Sequence, residues 1–190
     1  TILLEPLPDG EASQLVDNLL GRADIPAVAR RRILEASEGN PLFVEEMLGM
    51  LVDDGLLRFE DGSWRPVEDL ANVTVPPTIQ LLLAARLDRL ASEERAVIER
   101  GSVEGKVFHA GAVTTLSPEA QRPSVRPRLL ALARKELIRP DRAEFAGEDA
   151  FRFRHLLIRD AAYQAMPKEQ RADLHERFAG WLERTAGDRL

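Results

Sequence analysis

Residues 37–46 read Ser37-Glu38-Gly39-Asn40-Pro41-Leu42-Phe43-Val44-Glu45-Glu46, and three consecutive residues at their centre decide how the chain folds on either side. Gly39 suits the left-handed position that ends a helix, because it has no Cβ to clash there. Asn40 carries the short polar side chain that caps the start of the next helix. Pro41 fits the first helical position, where its missing N–H removes no intrahelical bond. Together they predict a sharp corner between two helices. Upstream, Ala29, Ile33 and Ala36 follow helical spacing behind Pro26; downstream, Phe43, Met47, Met50 and Leu51 continue it as far as Gly55.

Moving outward, Leu15, Val16, Leu19 and Leu20 put one apolar face on a helix that begins at Asp9 and is stopped by Gly21. Ile2 to Leu7, broken by Pro6 and Pro8, reads as a short strand. Beyond the corner, Leu57 and Phe59 alternate with charges, Asp61-Gly62 is a hairpin turn signal, and Trp64 begins the return strand. Residues 1–8 are therefore expected as a strand and residues 9–74 as a helical unit decorated by a β-hairpin over 56–67.

Val75-Pro76-Pro77 breaks the chain, and Pro77 is placed to lead a helix bearing Ile79, Leu82, Leu83, Leu87 and Leu90. Ser92 is expected to cap a further helix through Val97 and Ile98, which Val107-Phe108 leaves. Ser117-Pro118 offers another cap and first-position pair, and Ser124 opens a helix bearing Val125, Leu129, Leu132, Ala133 and Leu137, with Pro127 tolerated in its first turn. Leu137-Ile138 and Phe151-Arg152-Phe153-Arg154 flank a polar stretch containing Gly147-Glu148-Asp149, which suggests a two-stranded wing. Three helices followed by a hairpin give the winged-helix pattern over 75–165. Helices over 155–165 and 167–185 close the chain, the second with Leu174, Phe178, Trp181 and Leu182 on one face. Residues 166–190 are expected to lead into a linker or helical repeats. The fold class is mainly α: a helical bundle, then a winged-helix domain, with small β-hairpins.

A 190-residue chain with 44% hydrophobic and 31% charged residues has the composition of a soluble globular protein. It has no cysteine, which excludes disulfides, thiolate metal sites and cysteine nucleophiles and fits a cytoplasmic home. No apolar run approaches the roughly 20 residues of a membrane span, and no signal-peptide pattern opens the chain. Thr1-Ile2-Leu3-Leu4 begins abruptly, as in a piece of a longer protein. The net charge of −6 divides into −9 over residues 1–100 and +3 over 101–190, a mild asymmetry that does not demand nucleic acid.

Two stretches imitate nucleotide motifs. Gly101-Ser102-Val103-Glu104-Gly105-Lys106 resembles a phosphate loop but has one residue too few between its glycines, and Val107 stands where a Mg²⁺-binding Ser or Thr is needed. Met50-Leu51-Val52-Asp53-Asp54 resembles a Walker B strand but continues the helix begun at Pro41. His109, His155 and His175 lack metal-site spacing, and no serine sits in a nucleophile elbow. No catalytic or metal-binding set emerges. Arg122, Arg126, Arg128, Arg134, Lys135 and Arg139 cluster on the third helix of the winged-helix unit and its flanks, with Arg152 and Arg154 on the wing. In a DNA-binding module that helix would enter the major groove and the wing would reach phosphates, making Arg126, Arg128, Arg134, Lys135, Arg152 and Arg154 the contacts. Glu119, Glu136 and Asp141 interleave with these cations, and ordinary surface ion pairing accounts for them better.

Three blocks carry a family resemblance: Glu38 through Glu46; Val75-Pro76-Pro77-Thr78-Ile79-Gln80 running into Ala84-Ala85-Arg86-Leu87-Asp88-Arg89-Leu90; and Phe153-Arg154-His155-Leu156-Leu157-Ile158-Arg159-Asp160-Ala161-Ala162-Tyr163. In this order they resemble the AAA-like STAND signalling ATPase module found beside bacterial class III adenylate cyclase domains and in large LuxR-type regulators. The resemblance implies the last strand of an ATPase core, a helical lid, a winged helix and the start of a helical linker. It implies that Gly39, Asn40, Pro41, Leu42 and Phe43 belong to a lid, with Pro41, Leu42 and Phe43 facing the base of a bound nucleotide. ATP or ADP with Mg²⁺ would be held by the parent protein, whose phosphate loop, Walker B acids and output domain are not in these residues. The implied partners are that core and output domain, with oligomerisation possible and nucleic acid disfavoured. The alternatives are a winged-helix transcription regulator that binds DNA through residues 110–155, and an adaptor for protein partners.

Overall fold

The computed structural model describes residues 5–20, 25–60, 63–67, 70 and 73–187. Among them the chain is mainly α-helical, with two small antiparallel sheets of short strands. It divides into two compact units, Thr1–Leu83 and Ala84–Leu190. The division falls later than the 74/75 boundary expected from sequence, and residues 166–187 belong to the second unit. The physical reason for the first shift is that Leu82 is fully buried in the apolar cluster of the first unit, with Ile79 packed against it.

The first unit contains α1 (Asp9–Leu20), α2 (Ala27–Ser37), α3 (Pro41–Asp53), the hairpin β1 (Leu57–Glu60) and β2 (Ser63–Pro66), and the beginning of α4 (Ile79–Asp88). Its core forms around α3, where Phe43, Val44, Met47, Leu48, Met50 and Leu51 are all buried. Ala12, Val16 and Leu20 supply one stripe from α1, and Ala29 and Ile33 supply another from α2. Each large apolar side chain taken out of water here contributes about 1.5–3 kcal/mol. Leu19, expected on the buried face of α1, is instead 41% exposed, at the edge of the Ala12–Val16–Leu20 stripe about 60° around the helix from Val16. Arg30 ties α2 to α1 by donating to the Ser13 carbonyl at 2.8 Å and to Asp17 at 2.6 Å.

The hairpin pairs Leu57 with Pro66 and Phe59 with Trp64, and its Asp61-Gly62 turn lies outside the described residues. The expected strand over Ile2–Leu7 falls partly outside them; within the rest, residues 5–8 form no strand. Leu7 instead donates its N–H to the Gly39 carbonyl at 2.8 Å. Gly21, the expected stop of α1, is also outside the described residues. Helix α4 begins at Ile79 and not behind Pro77, since the Thr78 hydroxyl accepts the Leu81 N–H at 3.3 Å and so acts as the cap.

The second unit contains the rest of α4, α5 (Ser92–Glu104), β3 (Val107–His109), α6 (Ala110–Leu116), a 3-10 helix (Glu119–Ser124), α7 (Val125–Arg134), β4 (Ile138–Asp141), β5 (Ala150–Phe153), α8 (Leu156–Ala165) and α9 (Lys168–Ala186). The expected β4–β5 hairpin is present, and β3 joins it to make a three-stranded sheet of order β3-β5-β4. Phe108 of β3 meets Phe153 of β5 at 5.1 Å and Phe151 at 6.1 Å between ring centres. A Cβ on Gly101 would lie 2.9 Å from the Phe108 ring, so α5 has a glycine where this aromatic cluster presses against it. Three serines behave differently from the caps expected of them. Ser117 donates back to Val113 and closes α6, Ser124 donates back to Gln121, and Ser92 lies inside α5, where Glu94 caps by accepting the Ala91 N–H at 3.3 Å.

Candidate functional site

The corner between α2 and α3 is sharp because two successive residues are left-handed, Glu38 at φ 47° and Gly39 at φ 73°. The sequence pointed to Gly39 alone. Glu38 is drawn into this costly region as the cap of α2, with its N–H turned back to the Glu35 carbonyl. Gly39 is required twice over. A Cβ there would lie 2.5 Å from the Leu7 carbonyl oxygen and 2.8 Å from its nitrogen, so the close approach of the Pro6-Leu7 backbone adds to the left-handed φ. Asn40 is extended, and its Oδ1 accepts the Leu42 N–H at 3.0 Å. Pro41 is the first residue of α3, as expected.

Of the five residues expected at a nucleotide-facing lid, Asn40 and Pro41 are exposed, Gly39 and Leu42 are half-buried, and Phe43 is 2% exposed. Two residues beyond Pro41, Phe43 is turned about 200° around the helix from it and is buried. What the corner offers on its surface is a proline ring, an amide and part of a leucine.

Asn40 and Phe43, but not Gly39, Pro41 or Leu42, line a concavity of about 250 Å³, together with Ala36, Ser37 and Glu38 from the corner and Pro77, Thr78, Ile79 and Gln80 at the head of α4. Two of the sequence blocks, far apart along the chain, thus meet at one place within the first unit. Helix starts present unsatisfied N–H groups and the positive end of the helix dipole, and here α3 and α4 both begin at the rim. Ser37 is not available to a ligand, because its hydroxyl is buried and donates to the Leu34 carbonyl at 2.8 Å. Thr78, Ile79 and Gln80 were not singled out as site residues from the sequence; the polar Thr78 before an apolar run was the available signal. A second concavity, of about 360 Å³ between α1 and α2, contains Arg30, which Ser13 and Asp17 already occupy.

The motif imitations resolve as helix. Gly101 to Glu104 lie in the last turn of α5, and Met50 to Asp53 lie in α3. His109 is 2% exposed, with Nδ1 2.6 Å from Glu104 Oε1, while His175 is exposed and lies 2.9 Å from the Tyr163 hydroxyl. Among the described residues no three His, Asp or Glu side chains converge as a metal site.

Five of the six residues considered for DNA contact sit in ion pairs within the second unit. Arg126 meets Asp149 at 2.8 Å, Arg128 meets Glu93 at 3.9 Å, Lys135 meets Glu94 at 2.7 Å and Arg154 meets Glu136 at 2.9 Å. Arg152 holds Asp141, and that guanidinium, followed by the Arg142 N–H, keeps the Asp141 carboxyl below its usual pKa. Arg134 makes no ion pair among the described residues. Arg122 turns its Nε to the Ser117 carbonyl at 3.4 Å. Glu136 and Asp141 take the roles expected of interleaved acids, and Glu93, Glu94 and Asp149 were missed because they are distant in sequence from the cations they meet.

A protein family described as a domain of unknown function (DUF8739) matches residues 8–65, a stretch from the start of α1 into β2 that contains the corner. No curated protein and no solved structure matches the chain.

Proposed function

We propose that this chain is the non-catalytic regulatory part, lid and winged helix, of a nucleotide-dependent signal-transduction ATPase of the STAND type. The observation that carries the reading is the concavity that joins the Gly39-Asn40-Pro41 corner to the Pro77–Gln80 helix start. Two of the three blocks of the family resemblance line it. Its volume, about 250 Å³, is just under the roughly 300 Å³ at which small-molecule sites begin, so it has room for one portion of a nucleotide, the base or the sugar. Phe43 and Ile79 supply apolar lining and Asn40 and Gln80 amides, Pro41 is exposed next to Asn40, and the α4 start at Ile79 and Gln80 supplies N–H groups and a positive dipole end.

In this reading the phosphates and Mg²⁺ belong to an ATPase core in the parent protein, and the chain itself turns over no nucleotide. Bound nucleotide holds lid and core closed, and exchange shifts the population to an open state that exposes an effector or oligomerisation surface. The order α5, β3, α6, α7, β4, β5 supports a winged helix for the second unit. Its paired cations favour contacts with protein over DNA, because a phosphate backbone would have to displace carboxylates already in place. No described helix is long and apolar enough to cross a membrane, in keeping with a cytoplasmic role.

The test is photo-crosslinking of the parent protein with an azido-adenine nucleotide, followed by mapping of the labelled peptides. Label on residues 36–43 or 77–80, competed by ATP or ADP, is the expected result. Competed label confined to other parts of the parent would remove the concavity from the nucleotide site.

A further inference from the structure

We propose that the loop over residues 142–149 is a pH-sensitive latch, closed by neutral His109 and opened when that histidine is protonated. This rests on the second unit alone and is independent of the nucleotide reading.

The buried His109 ring is satisfied on both nitrogens. Nε2 faces the backbone N–H of Glu144 at 3.3 Å, so it must be the acceptor; Nδ1 then carries the proton and donates to Glu104 Oε1 at 2.6 Å. The other Glu104 oxygen accepts the backbone N–H of His109 at 2.9 Å, which fixes the carboxylate. Phe145 of the loop lies on the ring at 4.9 Å and meets Trp181 of α9 at 5.6 Å, while Trp181 meets the ring itself at 5.8 Å. The far end of the loop is fastened by Glu148, which accepts the Gly111 N–H at 3.0 Å, and by the Asp149 carbonyl, which accepts the Ala110 N–H at 2.9 Å. The Asp149 side chain pairs with Arg126 of α7 at 2.8 Å, towards solvent.

Protonating His109 changes one contact from attraction to repulsion. A proton on Nε2 sets a donor against the Glu144 N–H, at a ring that is only 2% exposed. Glu104 keeps its hydrogen bond from Nδ1 and so holds the ring in place, which leaves the loop as the part that moves. The charged groups around the imidazole are Glu104 from α5 and, on the loop, Glu144 and Glu148, whose carboxylate is spent on Gly111. Helix α9 presents uncharged Trp181, and β5 presents Ala150 opposite His109. Release of the loop uncovers Trp181, which is 5% exposed, and separates Asp149 from Arg126, so acidification exposes an aromatic ring beside an unpaired cation.

The experiment follows amide hydrogen-exchange protection by NMR in the intact chain from pH 8 to 5.5, corrected for the intrinsic pH dependence of exchange, alongside the His109 ring resonances. Protection at Glu144 and Gly111 should fall at least tenfold in step with the ring titration, with protection at Ile98 in α5 unchanged. In a Trp64→Phe background, Trp181 emission should report the same step. His109→Gln should abolish it. The proposal is overturned if His109 titrates while the Glu144 and Gly111 amides stay protected, if the ring does not titrate across this range, or if the step survives in His109→Gln. Should that variant fail to fold, coincidence or non-coincidence of ring and loop transitions in the wild-type chain decides alone.

Discussion

The two units are held together by different means. In the first, one apolar cluster runs from Val16 to Leu82, with Ser37 and Glu46 buried as well, and ion pairs such as Arg30 with Asp17 and Arg58 with Glu60 lie towards solvent. In the second, buried polar groups stitch the helices. Lys135 reaches Glu94, Arg86 donates to the Lys135 carbonyl at 2.7 Å, and Arg159 donates to the Ser102 carbonyl at 2.8 Å. Apolar packing is tolerant of where a helix slides, whereas a buried hydrogen bond fixes one geometry or costs its full desolvation. The first unit is thus built mainly on an apolar core, with the Gly39-Asn40-Pro41 corner at its surface, and the second adds hydrogen bonds and ion pairs that fix its internal arrangement.

The largest expected effect breaks the aromatic part of the second unit. Trp181 is 5% exposed and stacks on Phe178 at 5.8 Å, so Trp181→Ala should cost about 3–5 kcal/mol in a denaturant titration followed by circular dichroism. A loss under about 1 kcal/mol would mean that α9 is not part of this core.

Glu94→Ala sharpens the contrast, because it leaves the Ala91 N–H and Lys135 without their acceptor. Lys135 is 34% exposed and can turn to water, so the expected loss is about 1–3 kcal/mol, below that of a fully buried pair. Trp181 fluorescence should register this loss and Trp64 fluorescence should not. An equal response of both would show that the units do not respond separately.

Asn40→Ala removes the cap of α3 and should cost about 1 kcal/mol, read this time at Trp64. A smaller effect is expected from acid. Arg152 depresses the Asp141 pKa in the folded state, so the contribution of that carboxylate is present above its unfolded value, near 4, and is lost as pH falls through the lower folded value. Asp141→Asn should flatten that limb of the pH–stability curve of the second unit; an unchanged limb would assign it to other carboxylates.

The same contrast explains what was legible in the sequence. Helical spacing found α1, α2 and α3 of the first unit, since their stability comes from apolar stripes such as Ala12, Val16 and Leu20 that the spacing records directly. The corner was legible too, because glycine, asparagine and proline each have a specific backbone role. The left-handed Glu38 and the second constraint on Gly39 were not, as both depend on chain that packs back from elsewhere, Leu7 in the latter case. Phe43 was expected to face a base together with Pro41, and the helical turn sets the two about 200° apart, with Phe43 buried and lining the concavity and Pro41 exposed. In the second unit β3 exists only through its pairing with β5, more than 40 residues later, and a three-residue strand leaves no periodicity to read. The polar staples Glu94–Lys135 and His109–Glu104 were hidden because their partners are fixed by the fold, and the head of α4 joined the site only once Thr78 met the corner in space.

The most direct test of the central claim is nucleotide affinity in the parent protein, compared between wild type and Pro41→Ala. Alanine suits a first helical turn, so stability should be almost unchanged, whereas Gly39→Val, at a left-handed position pressed against Leu7, should damage folding and serves as the control. The account predicts that Pro41→Ala weakens ATP or ADP binding by about tenfold, which corresponds to about 1.4 kcal/mol. Equal affinities at equal stability would contradict it and leave Gly39-Asn40-Pro41 as a helix corner without a ligand.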